Sequence, residues 1–299
     1  MSLSHTRAAV EQTSYSSAAQ AFLKAPIQHI KVDDATFALR RFGKGPALLL
    51  IHGFPLSSFT WRHILRGLSA HFTCYVPDLP GLGDSIWQDN TDFNFVAQAS
   101  RLKKMMDILE ISKYSIIAQD TGATIARCLT LQDSQRVQKL VMINTEISFH
   151  RPPWVVEYQI LTKIPGVALI FQQLLRSRSF LKSSLGFGGS FQNMALMNDE
   201  FLQQFIAPLA DKTRLRGLIS YLNGIDWDVV DGLAVQHQAI RQPLLLLWGE
   251  NDLTFPLTYA EKMLPEFPDA VLKIIPHCKL LPHEEKPEMA LVALLEFLG

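Results

Sequence analysis

The stretch Ser115-Ile116-Ile117-Ala118-Gln119-Asp120-Thr121-Gly122 decides the fold. Its first five residues form a compact, mostly apolar run, the pattern of a strand buried on both faces. The residues from Thr121 to about position 131 have helical spacing, so a strand passes through one turn straight into a helix. Small residues at Ala118 and Gly122 let the two elements approach closely and lift residue 120 to the tip of the turn. This is the form of a nucleophile elbow, small-x-nucleophile-x-Gly. The tip carries a carboxylate, and an aspartate held there is able to displace a leaving group from carbon and form an alkyl ester. The plainer role for Asp120 is to cap the helix that starts at Thr121.

Outward from the elbow, residues 47–52, 72–77 and 137–144 repeat the strand signature, with helical candidates at 59–70, 95–109 and 121–131 between them. Residues 27–32 and 36–42 read as a hairpin turned at Asp33-Asp34. The strand pattern resumes at 243–249 and 270–276, and a helix closes the chain at 284–298. This alternation predicts an α/β chain with a mostly parallel central sheet flanked by helices and joined by right-handed crossovers. From 147 to 234 the rhythm breaks into a helical, aromatic-rich segment that includes Trp154, Tyr158, Phe171, Tyr221 and Trp227. The expected organisation is an N-terminal extension over 1–25, a core over 26–146 and 235–299, and a helical cap inserted over 147–234. Within the extension, 16–24 is expected to be helical, and no apolar run precedes a small-residue cleavage site as in a signal peptide. The glycine cluster at 186–189 lacks phosphate-loop spacing and reads as a tight turn.

The chain has 299 residues, with 28 Lys+Arg balanced by 28 Asp+Glu, and is 48% apolar and 19% charged, as in an ordinary globular protein. A neutral chain without a basic block lacks the electrostatic footprint of nucleic-acid binding. The longest apolar runs are strand-sized, well short of a bilayer span, so no membrane partner is expected. Cys74, Cys128 and Cys278 are far apart and form no C-x-x-C pair. Neither a disulfide framework nor a zinc site is indicated, and a reducing, cytoplasmic setting is expected. Monomer and homodimer both remain open.

In an open parallel sheet, ligands collect at the carboxyl ends of the strands. At those ends stand His52-Gly53-Phe54-Pro55, the Asp120 elbow, Asn144-Thr145-Glu146 and Gly249-Glu250-Asn251-Asp252. In this order and spacing, over about residues 26–299, the chain resembles the α/β-hydrolase fold, in its branch of haloalkane dehalogenases and epoxide hydrolases. Gln119-Asp120 before Gly122 looks like the dehalogenase elbow; the His52–Pro55 turn followed by Trp61-Arg62 looks more like epoxide hydrolases. The resemblance implies Asp120 as nucleophile, Asp252 as the acid that orients a histidine, and the backbone N–H groups of Phe54 and Thr121 as an oxyanion hole. It implies no metal and no organic cofactor. His52 is expected to brace the oxyanion turn beside the substrate. Asn144 and Glu146 are expected as polar lining, with a secondary acid as the alternative for Glu146, and Tyr221 and Trp154 as cap residues facing a small apolar organic substrate.

The chain departs from that family's pattern in three places. The base histidine of the family follows the last strand in a segment like C-G-H-x-P-H-E-E-x-P. Here the segment reads Cys278-Lys279-Leu280-Leu281-Pro282-His283-Glu284-Glu285-Lys286-Pro287, which puts Leu280 at the base position. Leucine takes no proton, so the flanking His283 and His277 are the candidate replacements. Thr121 stands where dehalogenases usually have a halide-gripping Trp, and Phe54 stands where they have Asn or Glu. Only Tyr158 and Tyr221 are cap tyrosines of the kind epoxide hydrolases use to protonate the ring oxygen. The expected activity is Asp attack on an epoxide or alkyl halide followed by ester hydrolysis. The alternative is a catalytically impaired homologue that binds an apolar small molecule without turnover. A serine esterase is disfavoured because no G-x-S-x-G occurs.

Overall fold

The computed structural model describes residues 15–299; residues 1–14, most of the expected N-terminal extension, lie outside the described residues. Among the described residues one nine-stranded sheet forms. Its strands are β1 (Gln28–Val32), β2 (Ala35–Phe42), β3 (Ala47–Ile51), β4 (Thr73–Pro77), β5 (Ile86–Trp87), β6 (Tyr114–Gln119), β7 (Val137–Ile143), β8 (Leu244–Gly249) and β9 (Ala270–Ile275). Their order is β1-β2-β4-β3-β6-β7-β8-β9, with the short β5 paired to β2. β2 runs antiparallel to β1, β4 and β5, and every other pairing is parallel.

Burial explains the order. β3, β4, β6 and β8 are nearly continuous apolar runs buried along most of their length, as strands covered on both faces must be. β1 alternates and β9 is half exposed, and these two strands close the sheet at its edges. The helices Phe95–Ile108 and Thr121–Gln132 pack on each other, and Pro287–Leu298 lies beside Arg62–Leu68. At the N-terminus, the Ser16 hydroxyl accepts the Ala19 N–H and starts the helix Ser17–Lys24, which buries Ala19 and Phe22. Three buried thiols, Cys74, Cys128 and Cys278, are free.

Two expectations need adjustment, and one strand was not foreseen. The helix expected at 59–70 opens as a tight 3-10 turn, Ser58–Trp61, before becoming α-helical over Arg62–Leu68. The closing helix is broken into Pro282–Glu285 and Pro287–Leu298, because Pro287 lacks an N–H and pushes Lys286 out of the helical region (φ −137, ψ 56). β5, with two residues, is too short to leave a periodic signal.

Between β7 and β8 no described residue joins the sheet. This segment holds the helices Pro153–Leu161, Val167–Leu174, Arg178–Lys182, Lys212–Asn223 and Trp227–Gln236, with a π-helical turn at Leu202–Ile206. Residues 184–190 form the turns expected of the glycine cluster, and the carbonyl of Gly188 accepts Lys279 Nζ at 3.1 Å. Among the described residues no helix is long and apolar enough to cross a membrane.

Candidate active site

β6 delivers its last residue, Gln119, to a turn in which Asp120 takes a left-handed backbone (φ 53, ψ −134). A non-glycine residue there is strained, and the surroundings hold it in place. The Asp120 N–H donates to the carbonyls of Ile143 and Asn144 at 3.0 and 2.8 Å, and the Thr145 hydroxyl donates to the Asp120 carbonyl at 3.0 Å. Gly122 makes the approach possible: a Cβ on it would lie 2.3 Å from the His52 carbonyl oxygen. The Phe54 N–H donates to Asp120 Oδ2 at 2.8 Å and to Thr121 Oγ1 at 2.9 Å. The Phe54 and Thr121 N–H groups, those expected in the oxyanion hole, both favour the ionised form of this side chain.

Two more carboxyls stand at neighbouring strand ends. Asn144, at the end of β7, donates through Nδ2 to Asp252 Oδ2 at 2.6 Å and accepts the Gly249 N–H at 3.0 Å, so it ties Asp252 to the sheet. The Thr254 N–H donates to Asp252 Oδ1 at 2.8 Å. Burial pushes the Asp252 carboxyl up to about 7, against the pull of these bonds. Glu146 is buried and accepts the hydroxyls of Thr124 and Thr145 at 2.6 and 3.1 Å. Burial raises Glu146 too, and Asp120 is raised well above the carboxylate range by its own burial and then by the nearby Glu146 charge. In so dry a place each carboxyl favours its neutral form more than it would in water.

Behind Glu146 lies a network the sequence reading missed. The guanidinium of Arg127, fully buried, donates to Thr124 Oγ1 at 2.7 Å and to the Glu146 carbonyl at 2.9 Å. Arg127 also meets His237 Nε2 at 3.2 Å, while His237 Nδ1 faces Glu266 Oε2 at 2.6 Å. An acceptor Nε2 and a donor Nδ1 satisfy both contacts. The available signal was a lone cation in the otherwise uncharged run of the helix Thr121–Gln132.

The expectation that a flanking histidine reaches Asp120 and Asp252 is corrected. His277 is exposed, its backbone is left-handed (φ 51), and its N–H bonds Glu250 Oε2 at 3.0 Å. His283 is buried elsewhere: Nε2 meets the Thr60 hydroxyl at 2.7 Å, the ring packs 4.6 Å from Trp61, and Nδ1 has no partner. Burial, then the neighbouring Arg62 charge, pushes its imidazolium down to about 3. Arg62 itself bridges Glu200 and Glu284, both at 2.7 Å. Leu280 faces the cavity that holds Asp120. The loop carrying it is pressed onto the end of β8, where a Cβ on Gly249 would lie 1.8 Å from the Lys279 carbonyl oxygen.

Two expected substrate contacts are also relocated. His52 is fully buried, with Nδ1 on the Gly53 carbonyl at 3.0 Å and Nε2 accepting the Leu79 N–H at 2.9 Å, so it braces the turn and meets no substrate. Tyr221 does not line the cavity. It stacks on Phe54 at 5.9 Å, and its hydroxyl meets Thr121 Oγ1 at 3.0 Å, just behind the elbow. Trp154 does line the cavity, and Asn144 acts through Asp252.

The cavity, about 180 Å³, lies between the elbow and the inserted helices. Phe54, Leu280, Trp154, Phe171 and many aliphatic side chains make it apolar; its ionisable lining groups are Asp120, Glu146 and Tyr158. The Tyr158 hydroxyl donates to the Leu185 carbonyl.

A family model described as alpha/beta hydrolase fold matches residues 46–287. Haloalkane dehalogenase 2 of Mycobacterium tuberculosis is 25% identical over 262 residues, covering 86% of this chain and 89% of its own. A pimeloyl-(acyl-carrier protein) methyl ester esterase of Nitrosomonas europaea is 28% identical over 263 residues, covering 85% and 96%. Epoxide hydrolase 4 of Homo sapiens is 27% identical over 232 residues, covering 72% and 62%. Among solved structures, the epoxide hydrolase CorEH superposes with a TM-score of 0.78 at 18% identity, covering 92% of this chain and 99% of that one. The haloalkane dehalogenase DbeA from Bradyrhizobium elkani superposes with a TM-score of 0.75 at 24% identity, covering 91% and 97%. These superpositions show the fold.

Proposed function

Because this chain belongs to the α/β-hydrolase fold family, we propose that Asp120 opens an epoxide on a small apolar molecule and that Glu146 handles the protons. The observation that carries this reading is that one apolar cavity holds both carboxyls, with Leu280 where the resemblance places a base. The reactive form has Asp120 ionised against the Phe54 and Thr121 N–H groups and Glu146 protonated. An Asp120 oxygen attacks an epoxide carbon; the C–O bond breaks, and its electron pair stays on the ring oxygen, which takes the Glu146 proton. The products are a hydroxyalkyl ester on Asp120 and a Glu146 carboxylate. Water then attacks the ester carbonyl and gives one proton to Glu146, while the two backbone N–H groups face the oxyanion. The departing alkoxide takes the other proton of that water, and a diol leaves. Epoxide fits better than halide, because the usual halide donors are replaced by Thr121 and Phe54 while an acid is present for a ring oxygen.

A second reading, binding without turnover, draws on the absence of any imidazole from the cavity lining among the described residues. Intact-protein mass spectrometry after incubation with styrene oxide and, separately, phenethyl bromide distinguishes the two. The nucleophile reading expects an adduct with both reagents that Asp120→Asn abolishes. Glu146→Gln should slow adduct formation by the epoxide, which needs a proton, more than by the bromide, which does not, and should prolong both esters. No adduct on the unmodified chain, with neither diol nor alcohol released into solution, would leave the binding reading standing.

A further inference from the structure

Two inserted helices have a second apolar face that the cavity does not use. Pro153–Leu161 turns Trp154, Val155 and Tyr158 towards the cavity, and Val167–Leu174 turns Phe171 the same way. Neither helix has a single buried residue. Facing out along them and their connection are Ile160 (60% exposed), Ile164 (53%), Leu169 (63%) and Ile170 (60%). Large apolar side chains exposed together on neighbouring elements mark an interaction surface.

Charge identifies the partner. The chain as a whole is neutral, yet residues 153–198 hold four cations, Lys163, Arg176, Arg178 and Lys182, against one acid, Glu157. All four are exposed, and among the described residues Arg178 alone has an acidic partner, Asp199. We infer that this apolar, cationic face of the inserted helices docks on an anionic lipid surface, lying on it without spanning it. The short apolar runs exclude a span but not a helix resting in the interface, where apolar side chains enter the acyl boundary and flanking cations meet headgroups. A second copy of the chain suits the face poorly, since a two-fold contact sets the same cations against each other. The placement also serves the cavity: one layer of helix separates lipid from the cavity lining, so an apolar ligand partitioned into the bilayer has a short path inward.

The test is flotation of the full chain with vesicles of phosphatidylcholine alone and of an equimolar mixture of phosphatidylcholine and phosphatidylglycerol. The expected result is co-flotation with the anionic vesicles, weakened roughly tenfold or more by Lys163→Glu with Arg176→Glu. Ile164→Ser with Ile170→Ser should weaken it as well; circular dichroism checks that these surface variants fold. Equal flotation with both vesicles, untouched by charge reversal, would overturn the inference, as would no flotation at all. So would a dimer in sedimentation that Ile164→Asp with Ile170→Asp dissociates, because a second copy would then own the face.

Discussion

At the carboxyl ends of β6, β7 and β8, three buried carboxyls, Asp120, Glu146 and Asp252, stand with no imidazole beside them among the described residues; around Thr60, the imidazole of His283 is buried beside Trp61 and Arg62. The same physical cause, loss of water, acts on both regions with opposite sign. It raises the acids, Asp252 to about 7, and lowers the base to about 3, so each side chain favours its neutral form. What separates the regions is space. Two of the carboxyls face a cavity, whereas His283 packs on an indole and a hydroxyl beside a closed ion-pair cluster. A titratable group becomes chemically available by facing a void that substrate can enter, and nearness in sequence to a motif does not provide that.

Moving an imidazole from one region to the other breaks the comparison most sharply. Leu280→His places a base in the cavity, and the Asp120 ester should then decay faster by roughly two to four powers of ten, read as adduct half-life by mass spectrometry. Next in size is Arg62→Met, which leaves Glu200 and Glu284 buried without their cation. It should cost about 3–5 kcal/mol in urea denaturation while the folded protein still forms the adduct at its usual rate. A change in adduct chemistry here would mean that the two regions are coupled.

pH sharpens the contrast. Asp252 keeps its proton in the folded state up to about 7 against an ordinary 3.8, so its contribution is full below 3.8 and is lost as pH rises through 7. His283 stays neutral in the folded state down to about 3 against an ordinary 6.5, so its contribution is full above 6.5 and is lost as pH falls through 3. Between about pH 4 and 6.5 the two slopes, each about 1.4 kcal/mol per pH unit, oppose one another. Asp252→Asn should therefore make stability rise more steeply with pH than in the unmodified chain, checked by urea midpoints at several pH values inside that window. The smallest expected effect is that of Tyr221→Phe. It removes the hydroxyl contact to Thr121 behind the elbow and should cost about 1 kcal/mol in thermal denaturation.

The elbow was legible because its determinants are local: a buried apolar strand, a small residue, an acid and the glycine whose missing Cβ lets the His52 carbonyl approach. The strands at 47–52 and 243–249 were legible for the same reason. The histidines were not, because their positions depend on the course of the loop from 276 to 282. There His277 turns outward in a left-handed conformation, and Glu285 Oε1 accepts the Lys279 N–H at 2.8 Å. Leu280 points inward as a result, and none of this leaves a mark in residue spacing. The partners of Glu146 were not legible for a related reason. Its hydroxyl partner Thr124 and the Arg127 network come from the helix after the elbow, and His237 lies beyond the inserted helices.

The close seating of the Lys279 carbonyl against Gly249 bears on heredity. It fixes the backbone at position 280 from outside, through the neighbouring residue and the end of β8, whatever side chain that position carries. Leucine encoded by CTT or CTC becomes histidine by a change of one base. A gene that uses either codon at position 280 sits one point mutation from the form with a base in the cavity, with the backbone that would receive the imidazole already in place.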